Sequence, residues 1–525
     1  MEKLTVLSLL NKYQTWVRNG DIQFLPKASE AQKTILDLLA ELIPDFELAG
    51  AQEGGLSKNL DWYKTHAKGR KLWQELVSAS LNSIDPDSKG NSTLFDYLEK
   101  ATLFEDVLYG LEEYYRDHTL HSIWVYLIGE YMLRDHLSDV RSNLNWYLYN
   151  DFESEKASYK RDLMRYARKK EQDIRAQVNE KQDAVWCIMA LCHDLGYSPA
   201  KLNKINDRVR DVLKFFDLPE FKQVGYSLDL EQQFLVSQVL EMMAMDVRIV
   251  PSENYRDPEV DTDEKVKIRG YRDDATYWRL CRALEKRQHG ILSSYLLYKL
   301  VGLFAESWVR GTGEEWGLED SEVVENIIRG DILFAIAQHE FDYAHMNQVG
   351  SLAEILFIAD ELEEFSRYGR QLLSREYSDT TAETAIEFTP QNPKQGEDVE
   401  INILYDYDTS RGLADYFNFF WRKAQRLCTV YSLDLEKGSE RYCTINRVKI
   451  TVARERHEFF FELRKGAENK NKGFLPRTKI GPVDYEEGEY LLSCTDDRID
   501  VLTKNGKVNL KDWCKDADKQ YSSAS

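Results

Sequence analysis

Five apolar helical runs in this chain end at or near a histidine or an aspartate, and that repetition constrains the fold more than any other feature. The runs read RDHTLHSIWVYLIG, WCIMALCHDLGY, EKRQHGILSSYLLY, ILFAIAQHEFDY and AEILFIADELEEFSRYGR. Apolar residues recur in them at helical spacing, which predicts buried helices. Polar residues closing such helices cost free energy unless something compensates them. The chain has nine histidines, and four of them (His121, His193, His289, His339) share this setting with Asp194 and Asp360. Imidazole and carboxylate are the donors that borderline or hard divalent cations take. Taken singly, each residue has a plainer reading. A lone histidine on an apolar helix is more often a hydrogen-bonded core residue, and His193-Asp194 would serve as an ordinary helix cap.

Length and composition set the outer bounds. A chain of 525 residues is long enough for a large core and roughly two to four domains. With 90 acidic residues against 69 basic, the net charge is −21, which disfavours extensive nucleic-acid binding and leaves room for one small phosphorylated ligand. Seven cysteines without CxxC spacing fit reduced thiols. The first residues, MEKLTVLSLLNKYQTW, lack the features of a signal peptide, and SSYLLYKLVGLFAESWV is interrupted by Lys299 and Glu306. The expectation is a soluble, cytoplasmic protein with no membrane segment.

Residues 1–100 read as a helical N-terminal region; AQKTILDLLAELI, for example, carries Ile35, Leu38, Leu39 and Leu42 at helical spacing. Residues 101–375 carry the histidine-bearing helices, with further helices expected at 184–193, 231–245, 274–306, 319–338 and 349–373. Within this span, 151–182 is a charged insertion read as a solvated helical hairpin, and 250–273 is a polar loop. Residues 376–398 lose helical periodicity and read as a linker. Residues 399–465 read as a small α/β domain of β-α-β-β order, built from VEINILYDY, GLADYFNFFWRKAQRLCTVYSL, YCTINRVKITVA and HEFFFELRKG. Residues 466–525 are a C-terminal extension. The predicted class is mainly α, with a small α/β domain at the C-terminus. No internal repeat, GxGxxG, P-loop or nucleophile elbow occurs.

The order of the polar closures identifies a family resemblance. A first histidine, a His-Asp doublet and a distant aspartate make the sequence similar to the HD superfamily of metal-dependent phosphohydrolases over residues 100–375. RDHTLHSIWVYLIG, HDLGY and IADEL are the most specific parts. The resemblance implies an HD-type helical core in which His121, His193, Asp194 and Asp360 hold one divalent metal ion. Two further histidines, His289 and His339, would complete a second, with Asp194 bridging. The ions would be Mn, Fe, Mg, Co or Zn. A bridged pair lowers the pKa of a bound water and clamps a phosphoryl oxygen. The resemblance therefore implies a phosphohydrolase or phosphodiesterase that attacks a phosphoester with metal-activated hydroxide. The substrate would be a nucleotide or another small phosphorylated molecule.

The phosphodiesterase branch places a general-acid histidine one helical turn before the first ligand. Asp117 stands there in this chain with His118 beside it, so both are catalytic candidates along with Asp194. The glycine-tyrosine-proline signature of the cyclic-dinucleotide branch is missing. For the substrate phosphate the candidates are Lys201, close after the doublet, and Arg367 and Arg370, about two turns beyond Asp360. The two arginines have an alternative as surface partners of Glu361, Glu363 and Glu364. His345 is a further substrate-binding candidate, with a loop position as its plainer reading. Two other functions use the same core: a di-iron oxygenase, and a non-catalytic scaffold or nucleotide sensor acting through a partner. Self-association into a homo-oligomer is open at this stage.

Overall fold

The structure is a computed structural model that describes residues 1–50, 60–108, 117–138, 148–150, 157–216, 229–261, 264–304, 315–318, 320–341, 346, 348–365, 382–394, 396–407, 443–454, 457–464, 477–482, 489–495, 498–503 and 506–509. The class is mainly α, as expected. Four helices open the chain: α1 (Val6–Asn19), α2 (Glu30–Gly50), α3 (Trp62–Ile84) and α4 (Asn91–Leu108). At the centre lie α5 (His118–Tyr131) and α7 (Gln182–Cys192), in which every residue is buried. Helices apolar on all faces belong at the middle of a fold, and these two pack against each other there.

Between them runs α6 (Ala157–Asn179). It is one helix rather than the expected hairpin, because Leu163, Ala167, Ile174 and Val178 form an apolar stripe that buries against the body. Beyond α7 come the short turn α8 (Tyr197–Ala200), α9 (Leu202–Leu213) and α10 (Leu230–Met243). The stretch expected to be a polar loop is largely a hairpin. Strands β2 (Met245–Pro251) and β3 (Val266–Arg272) alternate inward and outward residues and flank a polar turn. With β1 (Leu148–Asn150) and β4 (Glu315–Leu318) they form a four-stranded sheet.

The helix expected over 274–306 is two. α11 (Asp274–Glu285) stops where EKRQ interrupts the apolar period. Arg287 takes a left-handed φ of 54°, Gln288 is extended, and α12 (His289–Val301) begins anew with His289 as its first residue. α13 (Asp320–Gln338) and α14 (Leu352–Leu362) complete the helical body.

The C-terminal strands β6 (Ala382–Thr389), β7 (Asp398–Tyr407), β8 (Cys443–Arg454), β9 (His457–Arg464), β10 (Arg477–Pro482), β11 (Glu489–Thr495), β12 (Arg498–Thr503) and β13 (Gly506–Asn509) form one sheet, and β5 (Gln348–Val349) pairs with β8. Three expected strands are thus β7, β8 and β9, and the parallel β7–β8 pairing requires a crossover. The expected crossover helix lies outside the described residues. Two boundaries need correction. The expected linker holds β6, whose composition conceals a two-residue alternation that buries Ala382, Thr384, Ile386 and Phe388, with Ala385 buried as well. The expected extension contributes β10 to β13.

The sheet joins the helical body at several points. Leu4 bridges to Thr384, Lys3 pairs with Asp406, and the Tyr405 hydroxyl donates to the Glu361 carbonyl at 2.6 Å. Among the described residues, no helix is long and apolar enough to cross a membrane.

Candidate metal centre

All six expected ligands converge. α7 ends at Cys192, and His193 follows as its C-cap. The carbonyls flanking the doublet are fixed from the N-terminal region: Trp73 Nε1 donates to Leu191 O at 2.8 Å, and the Tyr97 hydroxyl to Leu195 O at 2.5 Å. These bonds use carbonyls that a helix end leaves unpaired. Two glycines then bring the helix ends together. A Cβ on Gly196 would stand 2.4 Å from His289 O, and one on Gly290 would stand 2.7 Å from Ile336 O. Only glycine lets the turn after Asp194 touch the start of α12, and the start of α12 touch the end of α13.

The two oxygens of Asp194 face different partners. Oδ2 lies 3.4 Å from His121 Nε2 and 3.4 Å from His193 Nε2. His121 Nε2 is also 3.1 Å from Asp360 Oδ1 and 3.2 Å from His193 Nε2. Oδ1 lies 3.0 Å from His289 Nε2 and 3.7 Å from His339 Nε2, and those two nitrogens are 3.0 Å apart. Ligand atoms about 2.1 Å from a shared ion stand roughly 3.0–3.4 Å from one another, depending on geometry. The His/Asp separations therefore fit divalent-ion coordination, and the donor set suits zinc, iron, manganese or cobalt. Two overlapping groups, His121-His193-Asp360 and His193-Asp194-His339, meet the distance criterion for ion holding.

Every imidazole in the cluster is also held from behind. His193 Nδ1 donates to Ala190 O at 2.8 Å, and His339 Nδ1 to Ile336 O at 2.6 Å. His121 Nδ1 donates to Glu363 at 2.7 Å, and His289 Nδ1 to Glu340 at 2.8 Å. A carbonyl can only accept, so His193 and His339 each donate from Nδ1 and aim Nε2 at the cluster. Where two unprotonated Nε2 atoms stand about 3 Å apart their lone pairs repel, and a cation or a proton between them removes that cost.

Burial pushes His193 down to about 4, which keeps it neutral. Burial also works against the charge on Asp194, but His193 and His289 outweigh it and hold that carboxyl well below the usual range. At His289 burial opposes the charge too, and Asp194 and Glu340 together raise it to about 10. Glu340 is lowered, as His289 overcomes the effect of its burial.

The remaining candidates divide. Asp117 caps α5, accepting from Leu120 N at 2.8 Å, and it pairs with His66 at 3.1 Å. These contacts give its carboxylate a capping and pairing role at the start of α5. His118 does reach the cluster, with Nε2 3.9 Å from Asp194 Oδ2. Burial pushes it down to about 3, however, and a neutral imidazole is a poor source of the proton expected of it. Lys201 stands over the Tyr197 ring at 4.3 Å, and His118 and His289 also lie against that ring. Arg367, Arg370 and His345 lie outside the described residues.

Sequence reading missed Glu363, Glu340 and Tyr197. Glu363 was placed on the surface, yet it is fully buried against His121. Its signal was adjacency to IADEL, since a carboxylate beside a ligand-bearing helix end is a natural imidazole partner. Comparison of the chain with protein-family models, with curated proteins and with solved structures finds no match.

Proposed function

We propose that this protein is a metal-dependent phosphohydrolase of HD type, cleaving a phosphoester of a nucleotide or another small phosphorylated molecule. The observation that carries the reading is the division of Asp194: one oxygen faces His121 and His193, the other His289 and His339. A single carboxylate so placed is what a pair of divalent cations a few ångströms apart requires. His121, His193, Asp194 and Asp360 would hold one cation, and Asp194, His289 and His339 the other. Bound there, the cations would supply Lewis acidity and a water of lowered pKa.

The chain's own residues supply the rest. The carbonyls and carboxylates behind the imidazoles fix their tautomers and aim their Nε2 atoms. Tyr197 forms a wall of the cluster, and the Lys201 ammonium above it is placed to meet a phosphate. The acidic surface favours a small substrate over a long polynucleotide.

Metal analysis of the purified chain, followed by phosphate-release assays over a panel of nucleotides and other phosphoesters, tests the reading. Two ions per chain and release from at least one substrate are expected, with Asp194→Ala abolishing both. Full metal content and activity in that variant would overturn the proposal. Oxygen consumption by iron-loaded protein, without phosphate release, would overturn hydrolysis and leave the ion pair standing.

A further inference from the structure

The two halves of the cluster are built unequally. Among the described residues the half on Asp194 Oδ2 has four protein donors; His121 and His193 are fully buried, and the Asp360 side chain is 18% exposed. Its supporting carboxylate, Glu363, is fully buried as well. The half on Asp194 Oδ1 has three among the described residues, so the halves differ in donor number and in their supports rather than in ligand exposure. Its supporting carboxylate, Glu340, is 34% exposed. Glu340 also does two jobs with one oxygen. Oε2 accepts from His289 Nδ1 at 2.8 Å and from the His289 backbone N–H at 2.6 Å, and it stands 3.4 Å from Gly290 N. It thereby caps α12 from the end of α13 while aiming the ligand that opens α12. His339 is its immediate neighbour in the chain, so one short segment sets both imidazoles of this half.

Resting on the two-metal reading above, we infer that the subsites differ in function: the Oδ2 ion is permanent, and the Oδ1 ion exchanges with solvent under the control of Glu340, a positioning residue. Fewer donors give a smaller binding free energy, and an exposed support leaves the ion a route out. Loss of a carboxylate behind a ligating imidazole lowers metal affinity by about 10–100-fold. Glu340→Gln keeps an oxygen that can cap α12 but removes the charge that makes His289 a stronger donor. A purely capping role would therefore leave ion affinity alone in this variant, because the capping oxygen is kept.

The test uses full-length protein loaded with Co²⁺, followed by visible absorption and elemental analysis during stepwise addition of EDTA. Wild type is expected to lose its ions in two phases. In Glu340→Gln the first phase should move to at least tenfold lower EDTA, with the second phase unchanged. Glu363→Gln should shift the second phase instead. Single-phase release from wild type, or unshifted release from Glu340→Gln, would overturn the inference while two bound ions kept the parent reading intact. Wild-type protein that binds no cobalt would overturn both. Should Glu340→Gln fail to fold, the two-phase release of wild type and the Glu363→Gln shift still decide the matter.

Discussion

The histidine-aspartate cluster and the seam between the helical body and the C-terminal sheet both bury titratable side chains, and they treat them in opposite ways. In the cluster every imidazole is engaged at both ring nitrogens. At the seam, His136 is buried between Tyr131 and Phe388, and among the described residues neither of its ring nitrogens has a hydrogen-bond partner. Asp194 is held well below the carboxylate range by its neighbours, whereas burial lifts Glu354, at the start of α14, to about 7. Burial alone is therefore no sign of function. A buried group held from behind and aimed at other donors is.

The largest expected effect that would break this contrast is on the cluster side. His193→Ala should remove at least the Oδ2 ion and bring phosphate release to background. It should also abolish the stabilisation by bound ion, about 2.7 kcal/mol at a hundredfold excess over Kd. Melting curves with and without Mn²⁺ would read this, and an ion-dependent shift equal to that of wild type would place the ligands elsewhere.

A middle-sized effect belongs to Glu354. Its raised pKa means that the folded chain holds the proton more tightly than the unfolded one between about 4.5 and 7. Stability contributed there is complete at low pH, falls as pH rises through that window and is flat above it. Glu354→Gln should remove the decline and stabilise the protein at pH 8 by about 1–3 kcal/mol. Urea unfolding at pH 5 and pH 8 would show it; an equal gain at both would mean that ionisation is not the cause. The smallest effect is at His136. Replacing an unpaired buried imidazole with an apolar ring should change stability by no more than about 1 kcal/mol and leave metal content as it was. A larger loss on His136→Phe would show that this imidazole, too, is held by a bond.

The ligand-bearing helix ends were legible because each joins an apolar period to a polar closure, a pattern confined to about a dozen consecutive residues. Their convergence could be expected only through the family resemblance, since no local pattern states which helix ends meet. Gly196 and Gly290 show why: their importance lies in the atoms of another helix that a side chain would strike. Strand β6 escaped reading because Glu383, Glu387 and Thr389, its exposed residues, resemble linker composition until the buried positions are known. The break before His289 was marked by EKRQ, but a polar run within a long periodic stretch is equally compatible with an exposed turn of helix. Glu340 and Glu363 were legible as acids and illegible as supports, because their imidazoles lie far away in the chain.

That distance has a consequence for the order of events during synthesis. The bond from His121 to Glu363 spans 242 residues. A growing chain that has displayed His121, His193 and Asp194 still lacks Asp360 and the carboxylate that aims His121, so its half-made cluster can offer an ion only a weak hold. Closing so long a loop costs entropy that nothing local repays, and the ion can repay it only once α14 has docked. An ion held by this cluster would thus be captured late, sealing a finished helical body, and its loss from the Oδ2 subsite would unfasten residues from both ends of that span together.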